Sequence, residues 1–413
     1  MPGRILVDIT PLRASRDFRL LFIGQLISML GTQLTVVAIP FQVFHQTHST
    51  LQVGAISLAQ LFPFLAGALM AGPIGDSRDR RRLMLWTAAA SVLTSGAMAL
   101  NASLHHPSLL ALYLISALAA GLMGFSNTAR MASVPGLVER RHLSAAAALS
   151  QVTFQLGVIV GPSIGGFLLG IGLPLVFSLD AASFAVACIA TFMMLPIPPG
   201  EHSGLSAWQS TREGLRYLRT HQALQGVYII DVNAMVFGMP RALFPAMAGG
   251  VFGGGTITLG FLYAAPGVGA LIGALTTGWV TQLRRQGRAV ILAVIIWGGA
   301  IAVFGLVHVL WVALVMLGVA GWADVISAVL RNTMLQTSIP ERFRSRMSSI
   351  QMAVVQGGPR LGDMESGAVA AATSLEFSVV SGGLACIAGA IIIGGLLPRF
   401  RHHVAVGEDD LPV

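Results

Sequence analysis

The residues able to do chemistry in this chain are few, and most stand inside long apolar runs. Four arginines, Arg130, Arg241, Arg331 and Arg360, fall within such runs, with the acids Asp180, Asp231, Asp324, Asp363 and Glu365 in or beside them. An ionisable side chain at mid-bilayer costs ~3 kcal/mol or more, so each must face a partner or a cavity. Seven of these residues (Asp231, Arg241, Asp324, Arg331, Arg360, Asp363 and Glu365) lie in the second half of the chain. Acids of this kind suit reversible proton binding, because burial favours the neutral acid whereas a neighbouring arginine favours the carboxylate. Asp231, Asp363 and Glu365 are therefore the candidate proton-coupling residues. Arg241, Asp324, Arg331 and Arg360, with Phe237 and Tyr263, are candidate ligand contacts. Arg241 is the cation suited to an anionic or phenolate-rich molecule, and Phe41, Phe44 and Phe154 are further candidates for apolar walls.

Each residue also has a plainer reading. Arg360 and Asp363 are three apart on a helix and could neutralise each other. Asp324 and Arg331 are seven apart, on one face but ~10 Å apart along the axis, which predicts other partners for both. Arg130 lies near the cytoplasmic end of its helix and could anchor at the interface by snorkelling. Asp180 falls near an external helix start, where a carboxylate suits the helix dipole. Nothing points to an enzyme, a cofactor or a metal site. The chain has no lysine at all, hence no Walker lysine, and no nucleophile–His–carboxylate grouping. His105-His106 and His402-His403 read as solvated pairs, and Cys188 and Cys386 as small core residues.

The elements that must position these residues follow from composition. Of 413 residues, 54% are hydrophobic and 10% charged, against about 25% charged in ordinary soluble domains. This is an all-α membrane chain. Each span needs ~20 apolar residues, and the apolar runs predict twelve helices: 18–44, 52–75, 83–102, 108–134, 143–170, 173–196, 224–248, 256–282, 288–308, 310–338, 343–372 and 375–397. The first such run is too long for a signal peptide's apolar core. Between the sixth and seventh, Pro196-Ile-Pro-Pro-Gly breaks the chain, and 205–220 reads as a short basic helix at the interface. The expected layout is an N-terminal half over 1–196, a linker over 197–223, a C-terminal half over 224–397 and a tail over 398–413.

Twenty-one of the twenty-five arginines fall in the termini and in alternate loops of this layout, all on one side of it. Positive charge marks the cytoplasmic face, so both termini are expected there. The net charge of +8 serves this topology, and no nucleic-acid partner is expected.

Two patterns suggest a duplicated scaffold. Gly54, Gly67, Ala68, Leu69 and Gly72 recur 206 residues later as Gly260, Gly273, Ala274, Leu275 and Gly278. Gly161-Pro162-Ser163-Ile164-Gly165 has a counterpart in Gly358-Pro359-Arg360-Leu361-Gly362, so Arg360 and Asp363 replace Ser163 and Gly166. Within 72–82, GPIGDSRDRRR, the residues Gly72, Gly75, Asp76, Arg80 and Arg81 resemble the signature loop of the major facilitator superfamily, from which Ser77 and Asp79 depart. The resemblance implies twelve transmembrane helices, two six-helix pseudo-repeats and a central cavity. It also implies a cytoplasmic gate at Gly72, Asp76, Arg80, Arg81 and Arg130, with Asp76 capping a neighbouring helix end and the arginines pairing across the halves. Gly157, Gly161, Pro162, Gly165 and Gly166 resemble the fifth-helix motif of the superfamily's exporters. Scattered stretches, among them Thr47-His48-Ser49-Thr50, Gly260-Phe261-Leu262-Tyr263 and Thr333-Met334-Leu335-Gln336-Thr337, are similar to the bacterial siderophore exporters. That likeness implies proton-coupled export of a siderophore or related amphipathic molecule from the cytoplasm by alternating access in a monomer. A broad multidrug–proton antiporter is the alternative it leaves open.

Overall fold

Residues 8–77, 79–197, 207–278 and 283–404 are described by the computed structural model, and all regular structure among them is helical. Among the described residues, eleven helical segments are long and apolar enough to cross a membrane. Position 78 of the 72–82 stretch, the end of the expected 256–282 helix, most of the break that begins at Pro196 and the end of the tail lie outside the described set. Compactness divides the chain into two units.

The first unit takes residues up to Gln46, Ala59–Ala207 and Thr256–Ala264. After the short α1 (Thr10–Ala14), its helices are α2 (Arg16–Thr47), most of α3 (Thr50–Ser77), α4 (Arg80–Ser103), α5 (Leu109–Leu137), α6 (Leu143–Leu169) and α7 (Leu173–Phe192). Capping sets the starts. Asp79 accepts from Arg81 N at 2.9 Å and also from Ile197 N at 3.2 Å, so the departure from the signature loop's glycine has a local purpose. Ser108 caps α5, and the Asn101 side chain pairs with Ser108 N and O at 2.9 and 3.1 Å to fix the α4–α5 turn. The sixth expected helix stops at Phe192 rather than 196. Its last carbonyls, on Thr191 and Phe192, accept from the Arg81 guanidinium, and Pro196 disfavours helix at the residue before it.

The second unit takes Thr47–Leu58, Trp208–Gly255 and the chain from Ala265 onward. It begins with α8 (Ala207–Thr220), the expected basic helix, and α9 (Gln222–Phe237). A single helix over 224–248 is not what forms. Pro240 has no N–H to continue the ladder, and the chain passes through a 3₁₀ turn, Arg241–Leu243, into α10 (Phe244–Gly250). The break is buried, and its polar groups are met from within: Trp297 Nε1 donates to Gly238 O at 2.8 Å, and Ala242 N donates to Asp363 Oδ1 at 3.1 Å. Irregular backbone at membrane depth is tolerated only with such partners. Then follow α11 (Gly255–Thr276), α12 (Gln286–Leu306), α13 (Leu310–Ser338), α14 (Glu341–Ala372), α15 (Leu375–Leu396) and α16 (Pro398–Arg401). The eleven spans do not include α14, the expected 343–372 helix. It forms over 32 residues, but Arg360, Asp363 and Glu365 dilute its apolar character.

Glycine decides how closely these helices approach. In the first unit α6 lies on α2: a Cβ at Gly157 would come 2.7 Å from Met29 Cγ, and one at Gly165 3.4 Å from Leu34 Cα. From the very next residue, on another side of α6, a Cβ at Gly166 would sit 2.5 Å from Gly260 Cα of α11 and 2.6 Å from Thr256 O. In the second unit α14 lies on α9 in the same manner, with a Cβ at Gly358 2.7 Å from Met235 Cβ and one at Gly362 2.9 Å from Val236 O. In lipid, packing of this kind supplies much of helix association, since the apolar tails offer no hydrophobic drive.

Gly166→Leu should therefore lower the thermal midpoint of the detergent-purified protein by several degrees, because its neighbours are backbone atoms that cannot yield and overpacking costs about 1–3 kcal/mol. Gly96→Ala, where a Cβ meets nothing within 4 Å, should leave the midpoint unchanged or raise it slightly.

Candidate functional site

Charge in the second unit gathers around α13. Arg331 is 4% exposed and extends between two acids. One terminal nitrogen lies 2.9 Å from Asp231 Oδ1 on α9 and 3.9 Å from Asp324 Oδ1 on its own helix, while the other donates to Ser327 Oγ at 3.1 Å. Asp231 is 3% exposed, and Asp324 is about a quarter exposed. The expectation that Asp324 and Arg331 need separate partners is corrected here. Two turns separate their backbones, yet an arginine side chain is long enough to lie back along the helix face and reach both acids. Two carboxylates share one guanidinium, so the group holds an excess acid unless a proton or a second cation joins it.

The second cation is Arg241. It is half-buried at the break between α9 and α10 and acts electrostatically on both Asp324 and Asp363. Asp363 on α14 accepts from Ala242 N, the first free amide after the break, and from the Ser57 hydroxyl of α3. Its own carbonyl lies against Gly54, where a Cβ would come 2.9 Å from Met364 Cα. Thr50 Oγ1 donates to Gly367 O at 3.0 Å one turn further along α14. Asp363 thus ties together α3, the break and α14. Arg360 donates to Gln356 O at 2.8 Å, one turn back on its own helix, and also acts electrostatically on Asp363.

Other expected residues are placed apart from this set. Glu365 is half-buried two residues beyond Asp363, on another face of α14. Phe237 is half-buried in the last turn of α9, its carbonyl 2.7 Å from where a Cβ on Gly382 would be. Tyr263 is buried in the part of α11 belonging to the first unit. Phe154 is 47% exposed.

At the α4 end of the first unit, Arg80 donates to Ala132 O of α5, and Arg81 donates to Thr191 O at 3.2 Å and to Phe192 O of α7. Arg81 also lies 5.6 Å from the centre of the Phe192 ring. Arg80 thus bonds a carbonyl within α5, and Arg81 bonds the last carbonyls of α7, both within their own unit. Arg130 donates to Asn127 Oδ1 one turn back on α5. Gly72 and Asp76 belong to the last turns of α3, and the surroundings of both lie outside the described residues. Asp180 is not at a helix start. It stands at the eighth position of α7, 2% exposed, so the dipole reading does not apply to it.

Sequence reasoning missed Ser327, Ser57 and the Ala242 amide. Ser327 had a signal, four residues before Arg331 and so on the same face. The other two had none, because their role arises from α3 and the broken helix meeting α14.

A family model described as "Transmembrane secretion effector" matches residues 7–407. The enterobactin exporter EntS of Shigella boydii is 30% identical over 393 residues, covering 95% of this chain and 93% of that protein. The enterobactin exporter EntS of Escherichia coli is 30% identical over 398 residues, covering 96% and 95%. Among solved structures, a variant of the nucleoside transporter NupG superposes with a TM-score of 0.76 at 11% identity, over 92% of this chain and 99% of that one. A bacterial homologue of the lysosomal transporter Spinster, inward-facing, gives 0.71 at 15% identity over 93% and 98%. These two likenesses concern the fold alone.

Removing the shared cation should cost more than removing either acid. Arg331→Met leaves Asp231 and Asp324 together without it, a loss on the order of 3–5 kcal/mol for a broken buried pair. Asp231→Asn leaves Arg331 with Asp324. Thermal unfolding in detergent should therefore rank the variants wild type, Asp231→Asn, Arg331→Met in falling stability. Equal midpoints for the two variants would overturn the shared-cation reading.

Proposed function

The chain belongs to the transmembrane secretion effector family of major facilitator transporters, and from that premise we propose that it exports a siderophore or a related amphipathic natural product from the cytoplasm. The observation that carries the reading is the likeness, over nearly the whole of both chains, to exporters of enterobactin. Export is driven by proton antiport through alternating access, in a monomer set in the bacterial cytoplasmic membrane with both termini in the cytoplasm. The arginine asymmetry supports that orientation.

In this reading α14 is also a span, the eleventh in chain order, which brings the total to twelve, and the scaffold is two six-helix halves, 1–196 and 224–397, joined by the linker over 197–223. Two parallels support a duplicated plan. The α6 glycines lie on α2 as the α14 glycines lie on α9. Gly67 of α3 packs on α5 as its counterpart Gly273 of α11 packs on α13, where a Cβ would come 3.2 Å from Trp322 O. Polar residues in a twelfth helix are expected where function needs them.

The chemistry is placed in the second unit. Asp363 exchanges the proton, with Asp231 and Glu365 as the other candidate acids. Its partners are the hydroxyl of Ser57, the amide of Ala242 and the nearby Arg241, so a change in its protonation alters the hold between the break and α14. Arg241 is the contact for a catecholate or other anionic group, with Asp324, Arg331 and Arg360 tuning the charge around it. Phe237 and Tyr263 supply apolar surface. Gly72, Asp76, Arg80, Arg81 and Arg130 form the cytoplasmic gate, and Gly157, Gly161, Pro162, Gly165 and Gly166 set the exporter-type bend and packing of α6.

The test is efflux from reconstituted vesicles under an imposed pH gradient, following enterobactin and a cationic dye in parallel. Wild-type protein should move enterobactin only with the gradient. Asp363→Asn, which keeps an oxygen for Ala242 N but cannot ionise, should be slowed at least about tenfold. Dye movement without enterobactin would replace the siderophore reading by a multidrug one. Transport indifferent to the gradient would remove the antiport mechanism.

A further inference from the structure

One titratable group in the first unit has no part in the site above. Asp180 is fully buried ~10 Å along α7 from its start. Its Oδ2 accepts two hydroxyl hydrogen bonds, from Thr35 Oγ1 of α2 at 2.8 Å and from Ser95 Oγ of α4 at 2.7 Å. Ser183, one turn on, donates to the Asp180 carbonyl at 2.7 Å. The other carboxyl oxygen, Oδ1, is buried without a hydrogen-bond partner among the described residues. Gly31 of α2 makes the room for it: a Cβ there would lie 2.8 Å from Oδ1 and against Ser183.

Among the described residues, no cation accompanies this acid. The segments of α6 and α7 contain no other charged residue, and the other titratable group on α7 is Cys188, two turns away. On α4 the charges are Arg80, Arg81 and Arg82 in its first turn, ~20 Å along the axis from Ser95. On α2 they are Arg16, Asp17 and Arg19 at its start, with His45 ~15 Å beyond Thr35. A carboxylate here would hold its charge against two hydroxyls alone, which burial strongly disfavours. Two species could neutralise it, a proton or a metal ion. The oxygens stand at the 2.7–2.8 Å separations of hydrogen bonds, and both hydroxyl protons point at one oxygen. An ion ~2.4 Å from each oxygen would hold them further apart. A neutral carboxyl fits, with Oδ2 as the carbonyl that accepts twice and Oδ1 carrying the hydrogen.

We propose that Asp180 is a second proton-binding site, in the first unit, loaded while α2, α4 and α7 are packed around it and emptied when they part and admit water. Release leaves a carboxylate and a hydrated proton, so the packing of three helices is tied to the proton's presence. The inference rests on the reading of this protein as a proton-driven exporter.

Two measurements on the full-length protein in lipid test it. Infrared spectra at neutral pH should contain the carbonyl band of a protonated carboxyl that is absent in Asp180→Asn. The band should move to higher frequency in Thr35→Val, which removes one donor, and should diminish as pH rises or when enterobactin is added. In vesicles, gradient-driven enterobactin export by Asp180→Asn should fall about tenfold, with fewer protons moved per molecule. A spectrum unchanged by Asp180→Asn, or a band indifferent to both pH and enterobactin, overturns the proposal. So does export that follows the gradient equally in wild type and Asp180→Asn. Wild-type export that ignores the gradient refutes the antiport reading instead, and the infrared result still decides whether Asp180 carries a proton.

Discussion

Inside the span of a bilayer, a charge or an unpaired amide has no water to turn to, so every polar group there must be answered by another part of the protein. The second unit is organised by this constraint. Pro240 breaks a helix and frees backbone groups, which Trp297 and Asp363 then satisfy. Asp363 shares α14 with Arg360 and Glu365, and the freed amide is part of what holds it. Arg331 cannot be buried without Asp231 and Asp324, nor they without it. The broken helix, the charged helix and the arginine are three consequences of one requirement.

The first unit meets the same requirement differently. Arg80 and Arg81 of α4 spend donors on backbone carbonyls of α5 and α7. Asp180 is answered by hydroxyls alone. Hydroxyls can stabilise a neutral acid well and a carboxylate poorly. The two units thus hold acids of different character: one set is paired with guanidinium groups, and the other is solitary and screened by serine and threonine.

Close glycine packing connects these chemical groups to motion. Where α6 and α2 meet, or α14 and α9, the helices touch at backbone level, and such contacts are kept or lost as a whole rather than stretched. Two buried acids stand beside such contacts, Asp363 next to Gly54 and Gly362, and Asp180 next to Gly31. Small changes in charge are therefore placed where helix positions are discrete.

Much of this was legible in the sequence. The all-helical membrane character followed from apolar length, and the family from the 72–82 motif, because both depend on residue type and local spacing. The stripe on α6 was legible too, since glycines four apart share a face whatever they meet. Three things were decided only by tertiary structure. Asp324 and Arg331 form a pair, although axial distance between backbones argued against it, because side-chain reach and a third partner on α9 are not properties of one helix. The helix over 224–248 is broken, because Pro240 tolerates a bend or a break, and the partners that make the break affordable come from α12 and α14. Asp180 is an interior acid, because its position along α7 said nothing of the hydroxyls on α2 and α4. Sequence fixes which residues must be satisfied inside the membrane. Which partners satisfy them depends on contacts between helices far apart in the chain, and local spacing carries no record of those.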